Sequence, residues 1–362
     1  MEKLITVRLS DDERAVVILD QTKLPGIIEY ITLDTPALVF EAIKSLRVRG
    51  APAIGVTAAL AMYALAHKIP NENFITEFEC LGDYLISSRP TAVNLPHAVE
   101  RMRKRAYNNA GRADILQSLR EEALAIRDED IAMCRAISEY GLSLVKSGDG
   151  ILTHCNAGAL AAVEYGTGLG ALLLGAERGM NFKCYVDETR PLMQGARLTS
   201  LELSRAGLDV TLICDSAASL LMKQGKISAC FVGCDRVAAN GDTANKIGTR
   251  SVAVNAHYHN IPLYVFCPSS TVDFSCKSGA DIVIEERSGD EIAEGYFNGR
   301  IAPNDVKCYN PAFDVTEAEL ISAIITEKGI CRYPYTESLK ILKKWEVIYE
   351  NSLLQREDSN HD

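Results

Sequence analysis

The 362-residue chain is 47% hydrophobic and 24% charged, the balance of a globular protein with enough length for a large core and two domains. Its formal charge of -10 argues against nucleic acid and anionic membranes as partners, so an anionic substrate would have to be held by local cations. Eleven scattered cysteines without a CxxC pair, and a His257-Tyr258-His259 stretch with no thiols at ligand spacing, point to a reduced cytoplasmic protein without structural zinc.

Met1 to Ser10 has no apolar core of signal-peptide length. Val16 to Leu19 reads as a short strand, followed by a Pro25-Gly26 turn and a second strand from Ile27 to Leu33. Asp34-Thr35-Pro36 marks a helix start, a polar cap with proline in the first turn. Leu38, Ala42, Ile43 and Leu46 then share a face. Arg49-Gly50-Ala51-Pro52-Ala53 leads into the uncharged run Ala51 to Ala66. That run falls short of the ~18 apolar residues of a membrane span and predicts a buried core helix. Helices are predicted over Phe74 to Ser87 and Asn94 to Ala106, with the loop Ser87-Ser88-Arg89-Pro90-Thr91 between them.

A long helix is predicted from Leu116 to Val145. Leu119, Ala123, Ile126, Met133, Ile137, Tyr140 and Leu144 keep near-heptad spacing along it. Asp130 stands on that seam, which leaves two options, exposure or a buried hydrogen bond. Ser147-Gly148-Asp149-Gly150 breaks the helix. The expected division is an α+β domain over 1–147, a catalytic domain over 148–350 and a polar tail over 351–362. Strand candidates in the second part are Ile151–His154, Phe182–Val186, Val210–Cys214, Cys230–Val232, Leu263–Phe266 and Ile282–Ile284. Helical stretches separate most of them, which predicts an α/β fold with right-handed crossovers and a parallel sheet.

Ligands bind at the carboxyl ends of such strands. In Gly150-Ile151-Leu152-Thr153-His154-Cys155-Asn156-Ala157-Gly158-Ala159-Leu160-Ala161 an apolar run passes through polar residues and glycine into what reads as a helix. Cys155 would then sit near a helix N-terminus, where amide dipoles favour the thiolate. A packed, inert core cysteine fits the same stretch. The next strands are followed by Asp187-Glu188-Thr189-Arg190, Asp215-Ser216 and Gly233-Cys234-Asp235-Arg236. One such aspartate is commonly a helix cap, and Asp215 fits that use. The succession favours a catalytic crevice.

Crowded, poorly solvated carboxylates repel one another and hold protons more tightly, so one of them could act as a general acid. Cys155 could carry a proton rather than attack as a nucleophile, while strand alternation turns His154 the other way. The stretch from Ala239 to Thr249 reads as a turn entering a helix with Lys246 early in it. A lysine beside free backbone N–H groups seats a phosphate or carboxylate, although a solvated surface lysine is the commoner use. Arg49-Gly50-Ala51 repeats that logic, and Arg89 is a third cation. With no GxGxxG after a strand and no Walker-type loop, nucleotide binding is not supported.

Arg49-Gly50-Ala51-Pro52-Ala53-Ile54-Gly55, Ser88-Arg89-Pro90-Thr91-Ala92-Val93-Asn94-Leu95 and Thr153-His154-Cys155-Asn156-Ala157-Gly158 resemble the methylthioribose-1-phosphate isomerase family. Asp187-Glu188-Thr189-Arg190-Pro191, Gln194-Gly195-Ala196-Arg197-Leu198, Gly233 to Asp242, Asn245 to Thr249 and Tyr309 to Asp314 extend the resemblance over nearly the whole chain. It implies a Rossmann-like C-terminal domain with a parallel sheet, a smaller N-terminal domain of helices and a few strands, and a homodimer. It implies Cys155 and Asp235 as the catalytic pair, with substrate contacts from Arg49, Gly50, Ala51, Arg89, Gln194, Asn245 and Lys246. No metal or organic cofactor is required.

The chain departs from the family at Asp215-Ser216-Ala217-Ala218 and at Cys234, and carries Ala159 beside the thiol loop. Relatives act on 5-deoxyribose 1-phosphate or ribose 1,5-bisphosphate, so the 5-substituent stays open. The implied reaction turns an aldose 1-phosphate into a ketose 1-phosphate. Phosphate on the anomeric oxygen blocks simple ring opening, so the ring oxygen must be helped to leave. Asp235 is the expected acid at that oxygen or at a neighbouring hydroxyl, and Cys155 the expected proton carrier between C2 and C1. A hydride shift with Cys155 shaping a dry pocket is the competing route. The fold also resembles regulatory subunits of the eukaryotic translation-initiation exchange factor, which bind sugar phosphates or partners without isomerising them. Such a module would not need both Cys155 and Asp235 inside intact anion-binding loops.

Overall fold

The computed structural model describes residues 3–90, 93–108 and 112–342; Thr91 and Ala92, the last residues of the expected second domain (343–350) and the expected tail over 351–362 lie outside them. Three antiparallel strands open the chain in the order β1 (Val7–Leu9), β2 (Val16–Leu19), β3 (Tyr30–Leu33). β3 is shorter than expected, and Ile27 and Ile28 before it stay exposed. In α1 (Pro36–Lys44) the Thr35 hydroxyl accepts the Leu38 N–H at 3.3 Å, with proline in the first turn. Leu38, expected inside, is exposed, because the buried stripe runs through Val39, Ala42 and Ile43.

α2 (Ala51–Ala66) is buried from Ala53 onward, which explains why it carries no charge. It packs among α1, α3 (Phe74–Ile86), α4 (Asn94–Tyr107) and α5 (Arg112–Leu142). Leu119, Ala123 and Ile126 of α5 belong to this N-terminal core, whereas Cys134, Ile137 and Leu142 belong to a second core under the large sheet. Tyr140, expected on the seam, is exposed. A straight α-helix drifts about 20° per heptad from a strict seven-residue repeat, so the inward face has moved on by that point. Asp130 takes the second of its two options. It is buried, and its Oδ2 accepts the Val163 N–H at 3.1 Å.

From Gly150 strands and helices alternate: β4 (Gly150–His154), α6 (Gly170–Glu177), β5 (Lys183–Asp187), α7 (Ser200–Arg205), β6 (Asp209–Ile213), α8 (Ala218–Lys223) and β7 (Ala229–Val232). Then follow β8 (Arg236–Ala238), β9 (Thr243–Lys246), α9 (Thr249–Tyr258), β10 (Leu263–Phe266), β11 (Val272–Asp273), β12 (Phe313–Thr316), β13 (Ala323–Thr326) and β14 (Gly329–Cys331). The large sheet has the order β14-β13-β10-β7-β4-β5-β6 and is parallel except for β14. This is the expected α/β architecture with a parallel-dominated sheet. A smaller sheet has the order β11-β8-β9-β12.

Ile282–Ile284 is not a strand; Val283 is almost fully exposed, and the place beside β10 is filled by the buried β13. The chain leaves β4 toward β5 and β6, then returns to the other side of β4 for β7, β10 and β13. The β4–β7 junction is therefore the point where the winding reverses, the place where such sheets open a crevice. Among the described residues, no helix is long and apolar enough to cross a membrane.

Candidate active site

The register pairs His154 with Val232, so Cys155 and the Gly233-Cys234-Asp235 loop leave neighbouring strands side by side. No α-helix begins at Cys155, contrary to expectation. Ala159–Ala161 is a single 3-10 turn and α6 starts only at Gly170. The cysteine adopts φ 65°, a left-handed conformation that costs roughly 1–2 kcal/mol in a residue other than glycine. Two threonines hold it there. Its N–H donates to Thr189 Oγ1 at 2.8 Å, and its carbonyl accepts from Thr199 Oγ1 at 2.6 Å.

Burial pushes the Cys155 thiol above its ordinary pKa, Lys246 and Arg49 pull it back, and Asp235 pushes it up again. Asp235 is open to the crevice water, and no hydrogen bond reaches its carboxylate among the described residues. The protein around it still thins its hydration and raises its pKa, against Lys246, Arg89 and Arg49, with Glu285 adding to the rise. The thiol and the carboxyl thus feel one another and the same two cations. Each holds its proton more tightly than usual. The carboxylate that crowds Asp235 is Glu285, from a segment that carries no recognisable signal.

The cations come from three elements. Arg49 precedes α2 and donates to the Asn156 side-chain oxygen and, at 3.5 Å, to its carbonyl; its Nε is buried with no hydrogen-bond partner among the described residues. Gly50 has φ 96°, and a Cβ there would lie 2.2 Å from the Ala161 carbonyl oxygen. Only glycine lets the start of α2, with Ala51 at its first position, lie against the Cys155 loop. Lys246 ends β9 rather than entering a helix, which starts at Thr249. It spends one of its three protons on the Ala312 carbonyl at 2.9 Å and lies 4.5 Å over the Phe313 ring. Arg89 acts electrostatically on Asp235 and has no side-chain hydrogen bond among the described residues.

Gln194 and Asn245 are both buried. The Gln194 Oε1 has no hydrogen-bond partner among the described residues, and the Asn245 amide donates to Thr249 Oγ1 at 2.9 Å. Neither is hydrogen-bonded to Cys155 or Asp235.

The other strand-end carboxylates do not join the crevice. Asp215 accepts the Thr189 and Arg190 N–H groups at 2.7 and 2.8 Å, so it fastens a neighbouring loop instead of capping its own helix. Asp187 is fully buried, 3.0 Å from His154 Nδ1, while His154 Nε2 lies 2.8 Å from the Ile247 carbonyl. A carbonyl only accepts, so Nε2 carries a proton. One more proton lies across the Nδ1–Asp187 contact, and whichever partner holds it, the pair has no net charge. Burial opposes charge on His154, but Asp187 prevails and raises its pKa. His154, Asp187 and Asp215 bring possible metal-ligand atoms within 4.8 Å of one another. The bonds just described already occupy both Asp215 oxygens and both ring nitrogens, so the set does not fit a metal ion.

Sequence reasoning missed Thr189, Thr199 and Glu202. The Glu202 Oε1 accepts from Asn156 at 2.6 Å and Oε2 from the Leu160 N–H at 3.2 Å. Nothing local marks these residues, since each reaches the Cys155 loop from more than thirty positions away.

The chain as a whole is similar to several known proteins. A methylthioribose-1-phosphate isomerase of Symbiobacterium thermophilum is 57% identical over 341 residues, 93% of this chain and 95% of the relative. A 5-deoxyribose 1-phosphate isomerase of Petrotoga mobilis is 54% identical over 94% of this chain and 99% of its own length. The crystal structure of 5-methylthioribose 1-phosphate isomerase from Pyrococcus horikoshii superposes with a TM-score of 0.89 at 40% identity, covering 95% of this chain and 97% of that one. Residues 47–333 match the model of the Initiation factor 2 subunit family, and the chain belongs to that family.

Proposed function

We propose that the chain is an aldose–ketose isomerase that converts 5-methylthioribose 1-phosphate to 5-methylthioribulose 1-phosphate, a methionine-salvage step. The observation that carries the reading is a thiol and a carboxyl at the ends of neighbouring strands, both raised above their usual pKa by burial and both in the field of Arg49 and Lys246. Arg49, Arg89, Lys246 and the N–H groups at Gly50 and Ala51 hold the phosphate. Gln194 and Asn245 address the sugar hydroxyls. Asp235 protonates the ring oxygen as it leaves C1, and takes up the proton of the C2 hydroxyl as that becomes the ketone, which restores the acid. Cys155, whose thiolate the two cations favour, carries the proton from C2 to C1. In the hydride variant Cys155 only walls the pocket. General acid–base help of this kind is worth about 10²–10⁴-fold per group.

The Petrotoga mobilis relative, at nearly the same identity, favours 5-deoxyribose 1-phosphate as the second reading. Turnover of 5-methylthioribose 1-phosphate, 5-deoxyribose 1-phosphate and ribose 1,5-bisphosphate, followed side by side by phosphorus NMR, separates the readings. The methylthio sugar is expected to turn over fastest. A faster 5-deoxy sugar replaces the first reading by the second, and no turnover of any of the three returns the chain to a sugar-phosphate-binding assembly subunit.

A further inference from the structure

Arg49 is seated by an amide whose direction is set from elsewhere. Both amide protons of Asn156 are engaged on the far side, one by Glu202 Oε1 at 2.6 Å and the other by Thr199 Oγ1 at 3.1 Å. Its oxygen has one way left to face, toward the Arg49 guanidinium. Thr199 has a single hydroxyl proton and gives it to the Cys155 carbonyl, so toward Asn156 it can only accept. Glu202, 7% exposed, likewise offers only acceptors when ionised, and its second oxygen takes the Leu160 N–H. The loop closes tightly on this carboxylate. A Cβ at Gly158 would stand 2.5 Å from Glu202 Oε1, so no side chain fits between them. Glu202 also attracts Arg49 electrostatically without touching it, while Cys155 and Asp235 pull the same guanidinium from the crevice side and Arg197 repels it.

We propose that Glu202 is a positioning residue that acts through Asn156 to aim Arg49 at the anionic end of the substrate. The inference rests on Arg49 as a phosphate holder. A carboxylate is needed at 202 because an amide there would turn a donor toward either the Asn156 amide or the Leu160 N–H.

The test uses the full chain, with steady-state kinetics on 5-methylthioribose 1-phosphate and calorimetric binding of inorganic phosphate. E202Q is expected to raise KM about tenfold and lower kcat less, the share of one charge-assisted hydrogen bond. N156D alone, which sets two carboxylates against each other, behaves alike. The double variant N156D/E202Q restores the polarity with donor and acceptor exchanged. The carboxylate placed by N156D meets Arg49, the amide placed by E202Q donates to it, and KM returns part of the way to the wild type, because Thr199 Oγ1 now faces an acceptor. A loop that is merely structural gives no such return.

Should E202Q not fold, N156A removes the relay alone and is expected to weaken phosphate binding to the same degree. Unchanged KM and phosphate affinity in a folded E202Q or N156A, or a double variant no better than E202Q, overturns the proposal. A wild type that binds phosphate and loses it in E202Q, yet turns over no pentose phosphate, upholds the positioning and rejects the isomerase reading.

Discussion

Asp187 ends β5, Asp215 follows β6 and Asp235 follows β7, so all three aspartates stand on one edge of the sheet. At the β5–β6 end both are bonded within the fold, although Asp187 Oδ1 is buried with no hydrogen-bond partner among the described residues. Asp187 shares a proton with His154, and Asp215 takes two backbone N–H groups. At the β7 end Asp235 receives no hydrogen bond among the described residues and faces three cations. An acidic residue beyond a strand is therefore structural when hydrogen bonds tie it into the fold, and available for chemistry when only charges surround it. The two ends should respond oppositely to the same substitution.

D235N is the largest expected effect. It removes the proton donor but no hydrogen bond, so kcat/KM should fall about 10²–10⁴-fold. The unfolding midpoint should stay within about 2 °C of the wild type, since little stability is at stake. A fall in stability to match the loss of rate would show that Asp235, too, is structural. K246M comes next, with KM for the sugar phosphate raised about tenfold or more. Lys246 lowers the pKa of both Cys155 and Asp235. Without it both rise further, so the limbs of the pH–rate profile should move to higher pH. A profile that stays in place would put Lys246 outside the shared field.

D215N inverts the pattern. An asparagine has one side-chain acceptor oxygen where the aspartate has two, so the Thr189 or Arg190 N–H loses a charge-assisted bond. About 1–3 kcal/mol of stability should go, read as a midpoint several degrees lower, with kcat changed less than about tenfold. If D215N instead loses activity at full stability, the division between the two ends of the edge fails.

The sequence showed this division only in part. Strand ends announce themselves because apolar runs of strand length stop at polar residues, and that placed Cys155, Asp187, Asp215 and Asp235 on one edge of the sheet; the family resemblance alone singled out Asp235 as the partner of Cys155. Thr35-Pro36 and the uncharged α2 were equally plain, since caps and burial leave local marks. Which aspartate is occupied is not a local property. Asp215 is bonded 25 and 26 positions upstream, and Asp187 to His154 33 positions upstream. The β8–β9 hairpin was missed for a different reason. Its residues are small and polar, with Ala239-Asn240-Gly241-Asp242 at the turn, and they suggested a loop before a helix. Ile282–Ile284 has strand-forming residues but no open sheet edge to join, because β13 occupies it. Gln194 rested on the family resemblance alone.

Asp130 extends the comparison into the core, where a carboxylate has one N–H bond, from Val163, and no cation. Burial pushes its pKa up to about 7, against 3.8 for an ordinary aspartate, with the Val163 N–H pulling it back; Cys134 on the same helix is its titratable neighbour. Between those two values the folded chain keeps a proton that the unfolded chain has already released. This contribution to stability is therefore complete below about pH 4, declines as pH rises through 7, and then levels off. D130N keeps an oxygen for Val163 and cannot ionise. Its unfolding midpoint, measured from pH 4 to 8, should match or trail the wild type at the acid end, then gain steadily to an advantage of about 1–3 kcal/mol above pH 7. A difference that does not change with pH would mean that Asp130 titrates in the folded chain as it does in the unfolded one, so that burial does not raise its pKa.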